Sequence, residues 1–79
     1  MTNREKYDQV FIKNFSIDAT ALDSDPEYNK VSGWDSIGHM DMMADIEDAF
    51  SIVLDGDDIV NFSSYKKGLE ILAKYNVQI

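Results

Sequence analysis

Gly33-Trp34-Asp35-Ser36-Ile37-Gly38-His39-Met40 opens the stretch whose reading decides the fold, a helix expected from about Ser36 to Phe50. Asp35 or Ser36 supplies a short oxygen-bearing side chain that can accept from the free N–H groups of a first turn. With Ser36 at zero and about 100° per residue, Met42, Met43, Ile46, Ala49 and Phe50 fall on one broad arc, with His39 among them. That arc is the expected core face. Ile37, Met40 and Ala44 fall on a second, separate arc beside Ser36. Asp41, Asp45 and Asp48 border the second arc on one side and Glu47 on the other. The strip reads in two ways: as ordinary surface apolars, which are common, or as a docking face, for which Met is well suited.

Charge sharpens the contrast. The formal net charge is −8, and it is not spread evenly. Eight acids and no Lys or Arg lie between Asp35 and Asp58, while the remainder holds seven of each sign. Such a field repels nucleic acid and anionic membranes, and it steers a basic protein surface toward the helix. The alternative is a merely solvated acidic face.

Working outward, 79 residues are enough for one domain, 1–79, with one modest core. There is no Cys, so no disulfide supports it. Met1 to Asp8 has no apolar run and no cleavage-like site, and no window approaches the roughly 20 apolar residues of a membrane span. The expected setting is cytoplasmic. Thr2-Asn3-Arg4-Glu5 fits a capping box for a first helix from about Asn3 to Phe15, with Tyr7, Val10, Phe11 and Phe15 on one face.

Residues 16–35 read as a long connection, with a turn at Asp23-Ser24-Asp25-Pro26. Leu22, Tyr28, Val31 and Trp34 are the side chains expected to pin it. Ile52, Val53 and Leu54 are expected to be partly buried after the second helix. Asp57 to Asn61 reads as one or two short helical turns. Ser63 is the expected cap of a last helix from Ser64 to Tyr75, where Tyr65, Leu69 and Leu72 face inward and Gly68 permits close packing. The fold expected is all-α: a small four-helix bundle of three main helices and one short, with a long loop between the first two.

Catalytic constellations fail on the residues themselves. Ser36 and His39 stand at i, i+3, but the nucleophile elbow needs glycine two residues to either side, and position 34 is Trp. His39, the one histidine, belongs to the core arc. Asp23, Asp25 and Glu27 begin like a calcium loop, yet its sixth and twelfth positions hold Tyr28 and Trp34. No Gly-rich phosphate loop exists, and no metal site is expected.

Asp35-Ser36-Ile37 resembles the Asp-Ser-Leu signature of acyl carrier proteins and the related peptidyl carrier domains. The resemblance extends through Ile46-Glu47-Asp48-Ala49-Phe50, the Leu54/Asp57-Asp58-Ile59 connection and the capped last helix, most strongly from Gly33 to Leu72. It implies that Ser36 carries a covalent 4′-phosphopantetheine, donated from coenzyme A by a phosphopantetheinyl transferase. The thiol of that arm would hold acyl groups as thioesters, and the chain would have no catalytic activity of its own. In this reading Ile37, Met40 and Ala44 supply burial and Asp35, Asp41, Asp45, Glu47 and Asp48 supply steering for basic partner enzymes. A phosphodiester at Ser36 would meet the helix dipole and the unpaired N–H groups of the first turn.

Ile37 departs from the family's Leu, Gly38 from a common polar residue and Trp34 from a small one. These departures lean toward an accessory acyl or aminoacyl pathway, such as polyketide assembly, rather than housekeeping fatty-acid synthesis. The start at Met1 without a linker is read as a discrete carrier, and the expected state is a monomer. The competing expectation is a non-modified acidic interaction module using the same face.

Overall fold

The computed structural model describes residues 1–79. Four α-helices and one 3-10 segment make an all-α bundle without strands: α1 (Asn3–Phe15), the 3-10 segment (Ala19–Ser24), α2 (Ser36–Phe50), α3 (Gly56–Asn61) and α4 (Tyr65–Ala73). No helix is long and apolar enough to cross a membrane.

The capping box at Thr2 forms in both directions, with Glu5 N–H donating to Thr2 Oγ1 at 3.1 Å and Thr2 N–H to Glu5 Oε1 at 2.9 Å. Helix α1 buries Tyr7, Val10, Phe11 and Phe15, the four positions its spacing selects. It packs on α2, whose buried face is His39, Met42, Met43 and Ile46. Ala49 and Phe50 are only half-buried, with Phe50 packed against the core.

The long connection is better organised than its irregular sequence suggests. Residues 19–24 wind into the 3-10 segment, and Leu22 from it is buried. The next stretch is laced to the α3–α4 junction by backbone: Tyr28 N–H donates to the Ser63 carbonyl at 2.8 Å and Tyr65 N–H to the Pro26 carbonyl at 3.0 Å. Asp25 also accepts from Lys66 N–H at 2.8 Å. Trp34 closes the loop, fully buried, stacked on Phe15 at 5.2 Å and edge-on to Phe11 at 5.4 Å. Tyr28 and Val31 pack against the same core from half-buried positions.

The last helix corrects the sequence reading at both ends. Ser64, in extended conformation, is the cap; its Oγ accepts from Lys67 N–H at 3.0 Å. Ser63 is instead committed to Tyr28 through its carbonyl. At the other end Asn76 takes a left-handed φ of 63°, and Val77 N–H reaches back to the Leu72 carbonyl at 3.1 Å. This six-to-one bond is the Schellman closure that stops a helix, so Lys74 and Tyr75 lie in a turn. Val53 also departs from expectation: it is 82% exposed, whereas Leu54 is buried.

Two polar seams hold α4. In the first, Tyr7 Oη donates to the Tyr65 carbonyl at 2.6 Å, and the Tyr65 hydroxyl donates to Asp8. Burial, helped by that bond to Asp8, pushes the Tyr65 phenol up to about 12. In the second, buried Asp58 of α3 accepts from Lys74 Nζ and from Tyr75 Oη, each at 2.6 Å. Asp55 N–H donates to the same Tyr75 oxygen at 2.9 Å. The Lys74 bond, then the Tyr75 bond, hold the Asp58 carboxyl below the usual carboxylate range. A carboxylate depressed on folding stabilises the fold above its unfolded pKa, and that contribution is lost as pH falls through the folded one. Wild type should therefore lose urea resistance more steeply than Asp58→Asn as pH drops below about 4. Parallel pH profiles of the two midpoints would contradict this.

Candidate functional site at the start of helix α2

The site is built by a loop and a helix locked together by two glycines. Gly33 has φ +89°, a region that favours glycine. Its carbonyl lies so close to the first turn of α2 that a Cβ on Gly38 would sit 1.8 Å from the oxygen. Gly38 therefore does more than weaken a helical turn, which is all its sequence position suggests. It admits the loop backbone and so fixes Trp34 and Asp35 against α2.

Asp35 is the N-cap. Its Oδ1 accepts from Ile37 N–H at 3.1 Å and Gly38 N–H at 2.9 Å, and its carbonyl accepts from His39 N–H at 2.8 Å. Ser36 follows as the first helical residue and is exposed. The expectation of unpaired first-turn N–H groups waiting for an anion is corrected here. Asp35 already uses two of them, so a phosphate on Ser36 would meet a dipole partly offset by the Asp35 charge.

Beside Ser36 runs an open groove of about 480 Å³ between α2 and α3, lined by Tyr28, Ser36, His39, Met40, Ile59, Val60 and Ser63. The expected apolar strip is on the surface: Ile37 is 76% exposed, Met40 55%, and Ala44 is exposed as well. Helix α3 adds Val60, which is 80% exposed. Sequence reasoning missed Val60, because a six-residue helix shows too little period to assign its faces.

The acids divide into free and committed groups. Asp41 and Asp48 are exposed on α2. Asp45 is half-buried against α1, accepting from Asn14 Nδ2 at 2.9 Å with Lys13 Nζ at 3.6 Å. Glu47 accepts from Leu54 N–H at 2.8 Å and so anchors the chain after α2. Asp58 is internal. Of the five acids assigned to steering, Asp41 and Asp48 alone are free of bonds that hold the fold. No three of the chain's acids and histidine converge on one point suited to a metal.

His39 lies beneath the groove, 8% exposed. Trp34 Nε1–H donates to His39 Nδ1 at 2.9 Å, and His39 Nε2 lies 2.7 Å from the Ile59 carbonyl. Indole is a donor only, so Nδ1 is the acceptor and Nε2 carries the hydrogen given to Ile59. With both nitrogens engaged, this imidazole has no lone pair to offer Ser36.

No protein-family profile, curated protein or solved structure was found to match this chain.

Proposed function

We propose that the chain is an acyl carrier protein that bears a 4′-phosphopantetheine on Ser36 and shuttles thioester-bound acyl or aminoacyl groups between enzymes. The observation that carries this reading is the presentation of Ser36. It is an exposed hydroxyl at the first position of a capped helix, flanked by exposed Ile37, Met40 and Val60 from two helices. A chain without Cys has no thiol of its own, so thioester chemistry requires an imported group. His39, buried and doubly bonded, supports a carrier without catalysis of its own. Partners in this reading are a phosphopantetheinyl transferase and loading or processing enzymes with basic surfaces, in a cytoplasmic fatty-acid, polyketide or related pathway.

One observation favours a second reading, an acidic interaction module that is never modified. Asp35 already fills two of the donors at the start of α2, which lessens the need for an anion there. Coenzyme A with a fluorophore on its thiol, a broad-specificity transferase and magnesium separate the two. Label recovered on the peptide containing Ser36 is the expected result. A folded chain that takes none would favour the module.

Steering should rest unequally on the acids. Asp41→Lys should slow labelling several-fold at low salt, because it reverses a free charge about 8 Å along the helix from Ser36. The effect should shrink as salt shortens the screening length to about 10 Å and below. Equal rates for Asp41→Lys and wild type at low salt would remove the steering role.

A further inference from the structure

Helix α3 is too short to hold itself and must be held by its neighbours. It has one buried residue, Asp58, anchored to Lys74 and Tyr75 at the end of α4. Beside the Ile59 side chain, which packs against the core, the Ile59 carbonyl supplies a polar anchor by receiving the Nε2–H of His39. Behind that imidazole stands Trp34, whose indole both fixes the tautomer and lies nearly parallel to the ring, 14° between planes at 6.2 Å. Tyr28 and Phe62 meet the ring edge-on at 5.4 and 6.3 Å. His39 therefore has one orientation that satisfies both nitrogens, and no buried side-chain polar atom in the domain is left unpaired.

The string Trp34–His39–Ile59 starts two residues before Ser36 and ends one residue before Val60. We propose that His39 is a positioning residue for the Ser36 site. It holds α3, and with it Val60, at a fixed separation from Ser36 and Met40. This imidazole, accepting at Nδ1 and donating at Nε2, thereby helps set the apolar surface that a partner protein meets around Ser36. Phenylalanine at position 39 would fill the same volume but could neither accept from Trp34 nor donate to Ile59. A glutamine amide offers an acceptor and a donor at a spacing close to that of the two ring nitrogens. The inference concerns the same surface as the carrier reading, yet it holds whether or not Ser36 is modified.

The test uses the unmodified full chain. Amide hydrogen exchange is compared for wild type, His39→Phe and His39→Gln. In His39→Phe the amides of Ile59, Val60 and Asn61 and the Trp34 indole N–H should exchange about tenfold faster, while core amides of α1 and α4 hold within about twofold. His39→Gln should recover most of the protection. Unchanged α3 protection in His39→Phe, or no recovery in His39→Gln, would overturn the proposal, since volume alone would then explain the residue. Should His39→Phe fail to fold, the nitrogen resonances of wild-type His39 decide. A hydrogen on Nε2 and none on Nδ1 at neutral pH is expected, and the opposite tautomer or an imidazolium would overturn the string.

Discussion

Gly68→Ala should cost about 3 kcal/mol or more and leave the domain close to unfolding. The added Cβ would lie 2.1 Å from Tyr7 Oη and 2.3 Å from Phe62 Cζ. Neither can retreat: both side chains are fully buried, and Tyr7 is tied by its hydroxyl to the Tyr65 carbonyl at 2.6 Å. Alanine gains about 1 kcal/mol in helix propensity over glycine, which is too little to offset the clash. A domain of this length has a total stability of about 4 to 12 kcal/mol, so the loss is a large fraction. Urea unfolding measures it directly. Combining Gly68→Ala with Tyr7→Phe should recover part of the loss beyond additivity, because the nearest clashing atom is removed. A Gly68→Ala midpoint at or above wild type would mean that α4 does not lie this close to α1.

Trp34→Ala should be similarly severe, at about 3 to 5 kcal/mol. The indole is fully buried between Phe15 and His39. Its removal opens a cavity and also leaves His39 Nδ1 without its donor, an added penalty of about 1 to 3 kcal/mol for an unsatisfied buried group. The two losses share one site and will not add fully. Trp34→Phe separates them, since it keeps most of the volume and deletes the N–H. It should lie well between wild type and Trp34→Ala. If Trp34→Ala cost under about 1 kcal/mol, the loop would not be anchored through this residue.

These two positions show what the sequence discloses and what it withholds. Helical spacing placed α1 and α2 at their observed bounds, because thirteen and fifteen residues carry several turns of period. It also separated the buried Met42–Met43–Ile46 face from exposed Ile37, Met40 and Ala44. Trp34 and Leu22 were recognisable as anchors by size and apolarity alone. The 3-10 segment was not, since its six residues bury only Leu22 and show no repeat. The start of α4 moved by one residue because two adjacent serines offer equal caps, and a long-range backbone bond from Tyr28 decides between them.

The placement of the candidate site residues was legible, and their connectivity less so. Ser36, its cap and the apolar strip stand where the pattern put them. The division of the acids into free and committed groups depends on partners far away in sequence: Asn14 and Lys13 for Asp45, and Leu54 for Glu47. The same holds for His39, whose role is fixed by Trp34 on one side and by Ile59, twenty residues on, on the other.

The central claim, that Ser36 carries a phosphopantetheine arm, is tested most directly by intact mass. The purified chain and Ser36→Ala are weighed before and after incubation with coenzyme A, magnesium and a broad-specificity transferase. Wild type should gain one arm and Ser36→Ala none, with both shown folded by circular dichroism. No gain in wild type, or an equal gain in the variant, would contradict the assignment and leave the acidic helix as a docking face without an arm.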